Sequence, residues 1–401
     1  MSVIRVALVA RPAAGGIRRH VSSLVSRLNR GEFAPALFAP RDFHLDPPSP
    51  DCPRTVLPIA ARNSPLADLR AILVLSRLLR GRYDLVHAHG LRGAAIGIPA
   101  ARLARIPAVF TAHNLVPPCG PIARAVLQAL GRNAEAIAVS RAVAATLTTL
   151  GLDAGRIHVI PNGVDVADFD KPFDDETSRR RALADLIETT NQTDSRVRAH
   201  WIQILRGSNE SLFVVGAVGR LSPEKGFDVL ISAVTRATQG GAASDSQPLL
   251  ILGGSGPEEN RLRAMTDRAP NIVLAGPIAN VASLFAACDV VAIPSRSEGQ
   301  GIVALEAMAA RKPVIAARVG GLIETVVDGE TGLLVPPEDP NSLAQAIGAL
   351  LQSPELCYAM GQRGRERVER DSTLDRMVDR LSDLYRRTVR SHDSRRRIGS
   401  H

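Results

Sequence analysis

The chain has 401 residues, is 45% hydrophobic but only 3% aromatic, and carries 49 basic against 40 acidic side chains for a net charge of +9. That length suits two domains rather than one, and a core built from Ala, Val, Leu and Ile suits parallel sheets covered by helices. Its scattered cysteines, Cys52, Cys119, Cys288 and Cys357, form no CxxC pair, which argues against a zinc ribbon and a disulfide framework and fits a reducing compartment. No signal-peptide pattern opens the chain and no run approaches the ~20 apolar residues of a membrane span, so a cytoplasmic protein is expected.

Charge is unevenly placed. Residues 1–165 hold 20 Arg, no Lys and 9 acidic residues, whereas residues 166–401 are close to neutral. The first part therefore favours an anionic partner. Nucleic acid is not expected, because zinc-finger, RNA-binding and basic-zipper patterns are missing and aromatics for base stacking are few. An anionic membrane or a phosphorylated acceptor fits better.

Ile4 to Ala10 reads as a buried strand, followed by Gly15-Gly16 and a helix from Ile17 to Asn29. A glycine pair there lets backbone N–H groups approach an oxyanion, although a tight turn needs the same residues. His20, one turn into the helix, reads as a packing histidine. Apolar runs then alternate with helical stretches: Ala36–Phe38, Leu66–Leu79, Leu85–Ala88, Gly93–Ala104, Ala108–Thr111, Pro121–Leu130, Ala136–Val139, Arg141–Leu150 and Ile157–Ile160. Such alternation means a parallel sheet with ligands at the strand C-terminal ends. Those ends carry His87, His89, His113-Asn114, Ser140-Arg141 and Asn162, which suggests one shared crevice. The helix Leu66 to Arg80 is expected to pack on the sheet through Leu69, Ile72, Leu73 and Leu79, with Arg70, Arg77 and Arg80 solvated; lying on an anionic membrane is the alternative.

Residues 166–211 lack clean alternation and read as a linker with one or two surface helices, Trp201 anchoring one. A second β/α series begins at Leu212 and runs to about 372. A helix follows over 373–390, and the basic tail 391–401 is expected to be disordered.

The second series carries the strongest chemistry. Arg220 and Lys225 sit in GRLSPEKGF, after a strand and opening a helix, where a planar fork and a point charge can both reach an anion. Lys225 is one of three lysines in the chain. Further on, DVVAIP (289–294) reads as a strand and Ile302 to Ala310 as a helix, with Gly299 and Gly301 in the turn between them. That turn aims helix N–H groups and the positive dipole end at a ligand. Glu298 and Glu306 accept hydrogen bonds only, which suits the hydroxyls of a ribose or hexose. No strand of either series ends in Asp-x-Asp, the usual Mg²⁺ clamp for a diphosphate, so no metal is expected.

The glycine pair before the first helix, GRLSPEKG, GGSGPE, the Glu298 to Glu306 stretch, KPVIAARVGGLIETV and DGETGLLVPP, in this order, resemble the retaining glycosyltransferases of family 4. The resemblance spans nearly all of the chain outside 170–210 and the tail. It implies two Rossmann-like α/β domains facing across a cleft, the GT-B fold, with an acceptor domain (1–165), a nucleotide-sugar domain (212–372) and a last helix crossing back to the first. It implies that Glu306 binds the ribose, Glu298 the donor-sugar hydroxyls, and Arg220 and Lys225 the diphosphate, helped by backbone at Gly301, Ile302, Val303 and Gly15-Gly16. His113 would face the donor sugar, and Gly320-Gly321 would be structural or line the nucleotide pocket. The implied reaction moves a sugar from a nucleotide-diphosphate donor to a glycan or lipid-linked acceptor without a cofactor, at the inner membrane face or in the cytoplasm. A nucleotide-sugar epimerase and a non-catalytic sugar-nucleotide-binding subunit are the rival readings. Gln300 departs from the family, which often has Phe there, and Asn114 stands for a frequent Asp.

Overall fold

A computed structural model describes residues 3–11, 15–59, 64–170, 173, 175–190, 193–207, 212–239, 247–267 and 269–398. The chain divides into two compact units, one of residues 1–163 with 374–401 and the other of 164–373.

In the first unit the order is β1 (Ile4–Ala10), α1 (Gly16–Arg27), β2 (Phe33–Ala39), β3 (Arg54–Val56), α2 (Pro65–Leu79), β4 (Leu85–His89), α3 (Gly90–Ala104), β5 (Ala108–Ala112), α4 (Pro121–Arg132), β6 (Glu135–Ala138), α5 (Arg141–Thr149) and β7 (Ile157–Val159). These strands form one sheet in the order β3-β2-β1-β4-β5-β6-β7, every pair parallel. β1 from Val6 onward, β4 and β5 are buried on both faces, as a helix-covered parallel sheet demands, with β1 and β5 mostly apolar and β4 (LVHAH) carrying two histidines.

The second unit contains α6 (Glu176–Thr189), α7 (Ser195–Gly207), β8 (Val214–Val218), α8 (Phe227–Gln239), β9 (Leu249–Gly253), α9 (Glu259–Thr266), β10 (Ile272–Gly276), α10 (Val281–Ala287), β11 (Val290–Ile293), α11 (Ile302–Ala309), β12 (Val314–Ala317), α12 (Leu322–Thr325), β13 (Gly332–Val335), α13 (Pro340–Leu351) and α14 (Pro354–Asp371). Its parallel sheet runs β10-β9-β8-β11-β12-β13. The last helix, α15 (Leu374–Ile398), belongs to the first unit, where Met377, Leu381, Leu384 and Tyr385 join the core beneath β1 and α1.

Three regions differ from the sequence reading. The 166–211 segment is no surface linker where the structure describes it (171, 172, 174, 191, 192 and 208–211 lie outside the described residues). Leu183, Ala184 and Ile187 on α6, and Trp201 and Leu205 on α7, recur at one-turn spacing and are buried in the second unit's core. Trp201 is anchored there, its indole N–H donating to the Pro270 carbonyl at 2.5 Å. The tail expected to be disordered is helical as far as Ile398, since no Gly or Pro interrupts α15 before Gly399; residues 399–401 lie outside the described residues. On α2 the buried face is Ala71, Leu75 and Leu79, so Leu69 and Leu73 are exposed with Arg70 and Arg77.

Candidate active site

In the second sheet β8 lies between β9 and β11, so the loops leaving β8 and β11 flank the switch point where open parallel sheets hold ligands. The β8 loop carries Arg220, exposed, and Lys225, which ends a single 3₁₀ turn over Pro223–Lys225. Gly226 closes that turn with φ 65°, and a Cβ there would stand 2.1 Å from the Pro294 carbonyl oxygen. Only glycine lets the two loops touch so closely.

The β11 loop is tied to the same turn by Arg296. Its guanidinium donates to the Pro223 carbonyl at 2.6 Å and to both carboxylate oxygens of Asp228 at 3.0 Å, while its backbone N–H donates to the Glu224 carbonyl at 2.9 Å. Burial pushes the Asp228 carboxyl up, but hydrogen bonds and charge from Arg296 and Arg261 outweigh it and hold the group below its ordinary value. Across the braced loops, Lys225 Nζ donates to Glu298 Oε2 at 2.6 Å, and Ser295 Oγ donates to the same oxygen at 3.2 Å. The side chains of Lys225 and Glu298 are 26% and 13% exposed, which leaves both reachable by a ligand.

Gly301 caps α11 in the left-handed conformation, φ 85°, with a Cβ position 2.5 Å from Leu322 Cδ2. The first-turn N–H groups, including those of Ile302 and Val303, have no carbonyl within the helix to bond. Glu306 follows one turn on and is buried, as is Gln300. The Gln300 carbonyl accepts from Thr325 Oγ1 at 3.0 Å, and Gly321 N–H donates to the Glu298 carbonyl at 3.1 Å, so the Gly320-Gly321 stretch supports the loop. The arrangement offers a cation and a helix start to a diphosphate and two carboxylates to hydroxyls.

The first sheet has its own switch point, between β1 and β4. Gly15 caps α1 with φ 73°, and a Cβ there would meet nothing within 4 Å among the described residues. His20 on α1, His89 ending β4 and His113 after β5 converge, with ring centroids 4.8 Å apart for His20–His113, 5.4 Å for His20–His89 and 5.7 Å for His89–His113. His20 is more than a packing histidine: its Nδ1–H donates to Asn162 Oδ1 at 2.7 Å, and its ring faces the other two. Burial lowers the His20 pKa to about 4, and holds His89 and His113 well below the ordinary value, so all three are neutral at pH 7. His87 turns elsewhere, sharing hydrogen bonds with Tyr385 Oη at 2.5 Å and Thr111 Oγ1 at 2.7 Å. Ser140 is a helix cap, accepting from Val143 N–H at 3.1 Å.

Residues 204–367 match the family model for glycosyl transferases group 1, and residues 14–168 match that for glycosyltransferase family 4. The D-inositol 3-phosphate glycosyltransferase of Corynebacterium efficiens is 32% identical over 332 residues, covering 76% of this chain and 71% of that protein. The protein of the same name from Corynebacterium glutamicum (strain R) is 31% identical, covering 78% of this chain and 74% of its own. The chain is a family 4 glycosyltransferase. Anabaena Alr3699/HepE, solved in complex with UDP, superposes with a TM-score of 0.77 at 23% identity over 95% of this chain and 99% of that one. WaaG, a glycosyltransferase involved in lipopolysaccharide biosynthesis, does so with 0.71 at 15% identity over 96% and 99%. Both likenesses establish the GT-B fold. A family 4 glycosyltransferase moves a glycosyl group from a nucleotide sugar, and the two family models between them contain both switch points. No helix among the described residues is long and apolar enough to cross a membrane.

Two features escaped the sequence. The Arg296–Asp228 brace joins residues 68 apart with no motif to connect them. His20 carries no local signal either; only the gathering of histidines at strand ends pointed to its neighbours.

Proposed function

We propose that this transferase retains the anomeric configuration of the sugar, works without a divalent ion bridging the diphosphate, and glycosylates a phosphate-bearing acceptor. One observation supports the first two points most: Lys225, Glu298 and the start of α11 meet at the β8/β11 switch point. On donor binding Lys225 leaves Glu298 for the diphosphate, joined by Arg220 and the backbone of Gly301, Ile302 and Val303. Glu298 then takes sugar hydroxyls and Glu306 the ribose.

The bond from the anomeric carbon to the phosphate oxygen breaks through an oxocarbenium-like transition state. The acceptor oxygen bonds to that carbon on the same face, and its proton passes to the departing phosphate oxygen. Each preorganised donor aimed at the developing charge is worth roughly 3–4 kcal/mol.

The arginine-rich, lysine-free first 165 residues support an anionic acceptor, whether a phosphorylated polyol, as the names of the relatives suggest, or a phosphorylated lipid-linked glycan. The exposed leucines of α2, with Leu66 at 82% and Leu69 at 54%, beside Arg70 and Arg77, also suit peripheral contact with an anionic bilayer. UDP-, GDP- and ADP-sugars, each with an inositol phosphate or a lipid extract, form the test panel, with proton NMR of the product. An inverted anomer, or a strict requirement for Mg²⁺ or Mn²⁺, overturns the mechanism. Failure to pellet with phosphatidylglycerol vesicles at low salt ends the bilayer reading.

A further inference from the structure

We propose that His20, His89 and His113 form a binding site in the first unit for one borderline-soft divalent metal ion, Zn²⁺ by preference. Three elements far apart in sequence bring these imidazoles together, with a ligand atom of each lying within 4.8 Å of the others. Four of their ring nitrogens, His20 Nε2, His89 Nδ1, His89 Nε2 and His113 Nε2, are closed off from solvent and have no hydrogen-bond partner among the described residues. A buried imidazole nitrogen without a partner is costly, and three such rings within reach of one another offer the lone-pair set that a metal takes.

Tautomer and charge agree with this. Because Asn162 Oδ1 accepts from His20 Nδ1, the proton of that ring is held on Nδ1 and the Nε2 lone pair is left for a ligand. This is the outer hydrogen bond that metal-bound histidines commonly make. All three rings are neutral at pH 7 through burial, as ligands must be, and a neutral cluster has no pull on a bare anion. His87 packs on His89 with centroids 4.0 Å apart but is not a ligand, since both its nitrogens are engaged. Neutral imidazoles select Zn²⁺, Co²⁺ or Cu²⁺ over Mg²⁺ or Ca²⁺. Tetrahedral Zn–N bonds place nitrogens about 3.3 Å apart, so modest ring rotation must close the cluster on the ion. Three ligands leave a fourth position for an oxygen. Positive charge from Arg11, felt at His113, favours an anionic oxygen there, such as that of a phosphate or hydroxide.

This goes beyond the transfer reading: His113 would reach substrate through an ion rather than directly, and the metal would not bridge the donor diphosphate. The test reads binding rather than turnover, so its failure leaves the transfer reading intact. Untagged full-length protein, dialysed against chelator, is titrated with ZnCl₂ by calorimetry and with CoCl₂ by visible absorption. The expected result is one Zn²⁺ per chain and the intense d–d bands of four- or five-coordinate cobalt. His20→Ala and His113→Asn should each weaken Zn²⁺ at least tenfold. Asn162→Ala, which keeps all three ligands, should weaken it by about tenfold to a hundredfold. His158→Gln, whose ring pairs with Glu135 at 3.0 Å away from the cluster, should leave it unchanged. Circular dichroism checks each variant's fold. Substoichiometric binding, octahedral cobalt bands, or unchanged affinity in the folded cluster and Asn162 variants would overturn the site.

Discussion

The two sheets share one plan and differ in what stands at the switch point. β1 and β4 in one, β8 and β11 in the other, part their loops in the same way. At the first, the side chains that meet are neutral rings packed out of water; at the second they are a cation and a carboxylate 2.6 Å apart and still accessible. A repeated fold sets where ligands bind, while the side chains grafted on it set which charge is welcome.

The largest effect should come from removing the charge at the second site. Lys225→Ala is expected to lower turnover about a hundredfold with the fold intact, since one electrostatic donor to the leaving group is lost. Steady-state kinetics beside a melting curve decides this, and a folded variant at wild-type rate would erase the contrast drawn between the sites. Next comes Gly301→Val, which places a branched side chain at φ 85° against Leu322. Strain of about 1–3 kcal/mol is expected, with weaker nucleotide binding and a lower melting temperature. Unaltered binding by calorimetry would mean that the start of α11 holds no phosphate.

A smaller effect belongs to the first unit. Tyr385→Phe removes the hydroxyl bonded to His87 Nδ1 and should cost about 1–3 kcal/mol in denaturant unfolding, with nucleotide affinity unchanged. A matching loss of affinity would show that the two switch points do not act through separate chemistry. The chain's single tryptophan sharpens the same comparison. Trp201 reports only the second unit, so its fluorescence should miss the early loss of circular dichroism in the Tyr385→Phe variant.

Strands with long aliphatic runs were readable because burial on both faces leaves no polar alternation to confuse. β1 from Val6 and β9 are of this kind. β3 was not, being three residues, Arg54 to Val56, with exposed ends. In the second site, local spacing points to Arg220, Lys225, Glu298 and Glu306, because each sits in a loop or near a helix start with its own chemical signature. The Lys225–Glu298 contact is not legible there: each motif points to its own ligand, and nothing in either says that the two side chains hold each other. The same limit hid His20, whose partner Asn162 is 142 residues away. Spacing reports neighbours along the chain, whereas such pairs are made by sheet order.

The first unit is written in two pieces, with the whole second unit encoded between them. A ribosome therefore releases everything the second unit needs before it supplies Tyr385, Leu381 and Met377 to the sheet made at the start. A nonsense mutation just beyond codon 373 would spare the second unit and leave the first without its last helix.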